Sequence, residues 1–140
     1  MSPRKREIAI QTRAKEEVQD ITAQVNEAIG ALGVQEGFVL LFCPHTTAAL
    51  TVNEAADPDV REDFRRAFSQ MVPNISFYHE EGNSPAHVRA ALLGPSLLLP
   101  VEGGRLALGT WQGVYFCEFD GPRRRQVWVY ALVEGKAAQS

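Results

Sequence analysis

The run Leu108-Gly109-Thr110-Trp111-Gln112-Gly113-Val114-Tyr115-Phe116-Cys117-Glu118-Phe119-Asp120-Gly121-Pro122-Arg123 decides the fold class. Its centre, Val114 to Phe119, is β-branched and aromatic and lies between two glycine-marked turns, which predicts a strand. Strands are also predicted at Ser96 to Val101, Arg105 to Leu108 and Gln126 to Val133, with only short turns between them. Short turns join antiparallel neighbours, so this half of the chain reads as antiparallel sheet.

Working toward the N-terminus, Lys5 to Thr12 alternates around Ile8 and Ile10 as a first strand. Val18, Ile21, Val25, Ile29 and Leu32 recur at helical spacing, and Gly33 follows as a stop signal, predicting an amphipathic helix. Phe38 to Cys43 is apolar at every position, as in a strand covered on both faces, and Thr47 to Asn53 continues after a bend. A second helix is expected from the cap Asp57 and Pro58, with Val60, Phe64, Ala67, Phe68 and Met71 as its buried stripe and Pro73 at its exit. A third has Ser84 as cap, Pro85 in its first turn and Gly94-Pro95 at its end. Many strands with three interspersed helices predict a single α+β domain with mostly antiparallel sheet.

With 140 residues and 45% apolar content, the chain suits one domain with an ordinary core. Fourteen basic against 17 acidic residues, a net charge of -3, argue against a broad footprint on nucleic acid but leave room for one small anion. No segment has the length or apolarity of a membrane span or a signal peptide, so a cytoplasmic, membrane-free protein is expected. Cys43 and Cys117 sit in apolar strands without metal-type spacing and read as reduced core thiols.

Three histidines all fall beside turn chemistry. His45 follows Pro44 at the strand break, His79 precedes the acidic pair Glu80-Glu81, and His87 lies near the third position of the short helix. The amides of a helix entrance disfavour imidazolium, and neutral imidazole is the form that a divalent metal or a general base requires. Converging, His45, His79 and His87 would match the ligand count of a zinc or magnesium site with an open position, with Glu54 or Glu118 as an added carboxylate. Taken singly, each is an ordinary surface or core residue, and their spacing is no recognised zinc signature.

Glu118 shares a strand face with Val114 and Phe116, so it is expected to be buried and to need a partner, with Arg123, Arg124 and Arg125 nearest in sequence. It is either one half of a structural ion pair or the group that orients a phosphate-holding arginine. Gly109 and Gly113 bracket Thr110, Trp111 and Gln112, either to present them to a ligand or to form a turn whose indole fills the core.

Pro44-His45-Thr46-Thr47-Ala48-Ala49-Leu50-Thr51-Val52-Asn53-Glu54, then Ala56-Asp57-Pro58-Asp59-Val60, Pro85-Ala86-His87 and Gly104 to Gly113 together resemble the YjbQ family, whose members carry the name secondary thiamine-phosphate synthase. The resemblance covers about Ile8 to Val133. It implies an α+β domain of two packed sheets, a β-sandwich with flanking helices, assembled as a homotrimer with sites near subunit boundaries. It also places the family's signature on His45, Thr46, Asn53, Glu54, His87, Gly109, Thr110, Trp111 and Gln112. One departure stands out: the segment before the Ala-His helix is only Glu80-Glu81-Gly82-Asn83-Ser84, shorter than in many relatives, which sets His79 and Asn83 apart from His45 and His87.

The function this implies is a weak thiamine-phosphate synthase activity, joining a pyrimidine pyrophosphate to a thiazole phosphate. Such a transfer needs cationic or metal stabilisation of the departing pyrophosphate and an aromatic surface for the heterocycle. Arg123 or a histidine-bound divalent ion would meet the first need and Trp111 the second. The expected roles are catalytic for His45, Glu54, His87 and Glu118, and ligand-binding for Thr46, Asn53, Thr110, Trp111, Gln112 and Arg123. The alternatives are a metal-dependent hydrolase of a small ester or phosphoester and a trimeric binding protein for a small phosphorylated molecule without turnover.

Overall fold

Alternation along one central strand divides the interior into two cores. In a computed structural model, which describes residues 4–73, 75–79 and 82–132, eight strands and three helices follow in the order β1 (Arg4–Gln11), β2 (Glu17–Asp20), α1 (Thr22–Leu32), β3 (Gly37–Phe42), β4 (Ala48–Glu54), α2 (Pro58–Gln70), α3 (Ser84–Leu93), β5 (Ser96–Glu102), β6 (Arg105–Leu106), β7 (Gln112–Glu118) and β8 (Arg124–Leu132). The larger sheet has the order β1-β8-β3-β5-β6 and the smaller β2-β7-β4, and every pairing is antiparallel. The expected α+β fold with two antiparallel sheets and three helices is therefore present. Glu80, Glu81 and Val133 lie outside the described residues.

Val114 and Phe116 of β7 point toward the larger sheet and join Leu50, Val39, Leu41, Val127 and Val129 in one buried cluster, which Val25, Ile29 and Leu32 of α1 help to fill. Tyr115, Cys117 and Phe119 point the other way, against Ala86 and Ala90 of α3 and Phe64 and Phe68 of α2. Both faces of β7 are thus covered, which explains its near-continuous apolar sequence. Cys43 and Cys117 are buried free thiols, and burial pushes them up to about 11 and about 12.

Several local expectations change in the fold. The helical stripe expected from Val18 begins only at Thr22, because Glu17–Asp20 pairs with β7 as an edge strand and Val18 is buried there as a strand residue. Gly33 does end that helix, with φ 74 in the left-handed region. Asp57 caps α2 by accepting from the Asp59 amide at 2.9 Å. The stripe of α2 is only partly covered, and none of its residues is fully buried. Asn83, not Ser84, is the N-cap of α3, and no side chain caps that end. The strand expected at Arg105 to Leu108 is confined to Arg105–Leu106.

The largest departure concerns Phe38 to Cys43. Only Val39 and Leu41 of β3 face the core; Phe38 on the opposite face is 50% exposed. Cross-strand register sets Leu132 and Pro100 beside Phe38, Tyr130 and Leu98 beside Leu40, and Trp128 beside Phe42. The outward face of the larger sheet is consequently an apolar surface that no element of the same chain covers among the described residues.

The shared core predicts that Phe116→Ala costs about 3–5 kcal/mol of unfolding free energy. Urea denaturation checks this, and a loss below about 1 kcal/mol would show that Phe116 does not hold the two sheets together.

Candidate functional site

Where β3 ends and β7 gives way to β8, polar side chains meet between the two sheets. Glu118 on β7 and Arg125 on β8 both point inward between the sheets, and both are buried. Arg125 grips the carboxylate with both prongs: its Nε donates to Oε1 at 2.8 Å and its Nη2 to Oε2. The Thr12 hydroxyl donates to Oε1 at 2.8 Å and the Asp120 amide to Oε2 at 3.0 Å. Arg125 Nη2 also donates to the Thr47 hydroxyl at 2.8 Å. Burial pushes the Glu118 carboxyl up, but the Arg125 fork and the Asp120 and Thr12 hydrogen bonds outweigh it and hold the group below its usual range.

Above this pair lies a cleft of about 370 Å³ lined by Pro44, His45, Thr46, Thr47, Asn83, His87, Asp120, Arg123 and Arg125. The structure thus brings together His45, Thr46, His87 and Arg123 of the expected site. Arg123 pairs with Asp120, from Nη2 to Oδ2 at 3.0 Å, and Asp120 also accepts from Asn83 Nδ2 at 3.0 Å. That Asn83 bond first, and the Arg123 bond with it, hold the Asp120 carboxyl below its usual range. Glu118 is 0% exposed with both oxygens engaged, so its place is beneath the cleft, holding Arg125.

His45 sits in the loop after β3, and its Nε2 accepts the Gln126 amide proton at 2.9 Å. That bond needs the lone pair of a neutral ring with the proton on Nδ1. Burial, and then the nearby Arg125 charge, lower its pKa from the usual value. His87 is half-buried on the first turns of α3, and the exposed His79 ring meets it edge-on with centroids 5.6 Å apart. Two of the three histidines line the cleft and the third abuts one of them. Among the described residues, no group of three His, Cys, Asp or Glu side chains has an arrangement able to hold a metal ion. The donor set fits a metal poorly as folded, because the His45 Nε2 lone pair is already committed to Gln126.

Asn53, Glu54, Thr110, Trp111 and Gln112 are elsewhere. Register pairs Ala48 with Glu118 at one end of the β4–β7 ladder and Glu54 with Gln112 at the other. Seven residues of β4 at about 3.3 Å each separate the two ends by about 20 Å. Gln112 closes its own turn: its amide donates to the Gly109 carbonyl at 3.0 Å, and its Oε1 accepts from the Gly109 amide at 2.8 Å. Trp111 does not fill the core; it is 65% exposed.

Arg125 and Asp120 were not among the expected site residues. The signal for Arg125 was present, since it shares the inward parity of Val127 and Val129 on β8 and an inward arginine needs a buried acceptor. Asp120 carried none, because its role depends on contacts from α3 and the turn before β8.

The depressed His45 pKa has a definite consequence for stability. The folded ring binds a proton less readily than the unfolded chain does, so its contribution is full above about pH 6.5 and is lost as pH falls below it. Imidazole NMR titration should place His45 below 6.5, and His45→Gln should lessen the loss of stability between about pH 7.5 and 5.5. A midpoint at or above 6.5 would refute the neutral assignment.

Comparison with known proteins agrees with this architecture. Residues 6–134 match the family described as UPF0047 protein YjbQ-like. The UPF0047 protein YugU of Bacillus subtilis is 46% identical over 124 residues, covering 87% of this chain and 94% of that relative. A solved structure of an uncharacterized conserved protein of the YjbQ/UPF0047 family from Clostridium acetobutylicum aligns with a TM-score of 0.83 at 47% identity, covering 88% of this chain and 96% of the other. A YbjQ-like protein of unknown function from Sulfolobus solfataricus aligns with a TM-score of 0.84 at 33% identity, over 92% and 96% of the two chains. With matches of this extent laid over the same two-sheet fold, the chain belongs to the YjbQ-like UPF0047 family.

Proposed function

We propose that this protein binds a small phosphorylated molecule in the His45–His87 cleft, with Arg125 meeting the anion and the two histidines lining the site beside it. The observation that carries this reading is the state of Arg125. It is 6% exposed, its Nε and Nη2 are committed to Glu118 and Thr47, and its Nη1, on the residue that floors the cleft, makes no hydrogen bond to the described residues. A guanidinium pinned in this way presents its remaining donors with little entropy left to lose, as recognition of a phosphate oxygen requires. The neutral His45 beside it adds no second positive charge and has its Nε2 lone pair held by the Gln126 amide, so Arg125 is the cation the anion meets.

Thiamine-phosphate synthase activity, the finer reading, rests on the family resemblance. The cleft supports its anion half, the recognition of a departing pyrophosphate. Within one subunit Trp111 is about 20 Å away along β4 and cannot stack the heterocycle of a molecule whose pyrophosphate rests on Arg125. A metal-dependent hydrolase is the weaker reading, since it would require His45 to surrender its bond to Gln126. A zinc or magnesium ion is therefore not needed for the anion to bind.

The same proposal includes a homotrimer. The outward face of the larger sheet carries Phe38, Leu40, Phe42, Leu98, Trp128, Tyr130 and Leu132, an area too apolar to leave in water, and the family resemblance points to three copies. His45, bonded to Gln126 on the outward row of β8, then lies at the margin of that interface. A cytoplasmic location accords with two buried reduced thiols and a phosphorylated ligand. No described helix is long and apolar enough to cross a membrane.

Calorimetric titration with inorganic pyrophosphate tests the reading. Saturable binding is expected, unchanged by chelator and weakened about 10- to 100-fold in Arg125→Lys, which keeps the charge but loses the fork. His87→Gln, at a half-buried position, provides a variant that keeps the fold should Arg125→Lys unfold, and a several-fold loss is expected there. No binding by the unaltered protein, or full affinity in both variants, would refute the site. Light scattering after size exclusion should give three times the 15.5 kDa chain mass, and Phe38→Glu should lower it. A stable monomer at micromolar concentration would refute the assembly.

A further inference from the structure

The Gly109 to Gly113 motif is absorbed neither by the anion cleft nor by the core. Its turn is fastened on three sides, by the two Gln112–Gly109 hydrogen bonds and by the Trp111 carbonyl, which accepts the Ala55 amide at 2.7 Å. A backbone held so firmly displays an indole that is largely in water. Trp111 forms one wall of a separate cleft of about 500 Å³ whose other lining residues are Glu54, Ala56, Asp57 and Pro58.

The two carboxylates of this cleft meet only backbone amides among the described residues, at the entrance of α2. Glu54 Oε2 accepts the Asp57 amide at 3.2 Å and Asp57 Oδ1 accepts the Asp59 amide at 2.9 Å. Among the described residues neither forms an ion pair, and no second acceptor oxygen of either is engaged. The other tryptophan offers a comparison within the same chain. Trp128 carries the Lys5 ammonium 4.0 Å from its ring centroid, whereas no cation or ring of the described residues covers Trp111. An electron-rich aromatic face beside two carboxylates that meet helix-entrance amides but no described basic side chain, in a concavity of ligand size, attracts a cation large and apolar enough to shed water easily.

The geometry points to a binding site for a small organic cation, a quaternary or heteroaromatic ammonium group, seated on the Trp111 indole between Glu54 and Asp57. A compact metal ion is disfavoured there, because the indole offers it no donor atom and only two carboxylates face the cleft. The site is independent of the anion cleft at the far end of β4 and β7, and it stands whether or not that cleft binds phosphate.

Titration of the full chain with tetramethylammonium and with N-methylpyridinium, followed by the indole N–H resonances, tests this. Trp128→Phe leaves Trp111 as the sole reporter. Its signal should move saturably with both cations, while the neutral isostere tert-butanol should bind about tenfold more weakly or not at all. Trp111→Ala should abolish the binding. Glu54→Gln and Asp57→Asn, which keep their acceptor oxygens and hence the helix cap, should each weaken it several-fold. Equal shifts with tert-butanol, a signal unmoved by either cation, or unchanged affinity in the two carboxamide variants would overturn the proposal. Pyrophosphate binding measured on the Trp111→Ala protein should be unaffected.

Discussion

The Glu118–Arg125 pair is the constraint on which the functional end of the molecule depends. It ties the central strand of the smaller sheet to a strand of the larger one at the point where their apolar layers run out. A buried ion pair adds little over a well-packed apolar substitute, but removing one partner strands the other charge at a cost of about 3–5 kcal/mol. Here that arrangement has a chemical by-product. Holding the carboxylate requires a guanidinium whose planar fork is oversupplied with donors, and Nη1, not used by Glu118 or Thr47, makes no hydrogen bond to the described residues on a side chain that lines the cleft.

The same guanidinium acts on His45. Its positive charge, added to burial, favours the neutral ring, and the Gln126 amide takes the Nε2 lone pair. A histidine whose lone pair is given to a backbone amide is poorly prepared either to ligate a metal or to take up a proton through that nitrogen. One hydrogen bond from the backbone of β8 therefore withholds His45 from both roles.

Strand register distributes the remaining chemistry. Because β4 and β7 run antiparallel, the Pro44-His45-Thr46 loop meets the Glu118 end of the ladder, while Asn53 and Glu54 meet Gln112 at the other. Residues adjacent in a motif list therefore line two separate clefts, one floored by the anchored Arg125, the other walled by Trp111 and two carboxylates. The outward face of the larger sheet adds a third surface, where strand alternation places apolar side chains that no element among the described residues covers.

The sequence by itself determined the fold class, the helix ends at Gly33 and Asp57, and the burial of Glu118, because each follows from periodicity, backbone conformation or strand parity within a few residues. It also pointed to the arginine run as the source of the Glu118 partner, since an inward carboxylate needs a cation. It misassigned Val18 because one apolar residue in four fits a helical stripe and an edge strand equally well, and only pairing with β7 distinguishes them. It overstated the burial of Phe38 because apolar residues on both faces of a strand look the same whether a second layer or another molecule covers them. Which arginine met Glu118, that Asn83 and Asp120 joined the cleft, and that Trp111 and His45 lay toward opposite ends of a β4–β7 ladder about 20 Å long were decided by tertiary structure alone. These facts depend on cross-strand register and on the packing of α3, which are long-range properties that no local pattern carries.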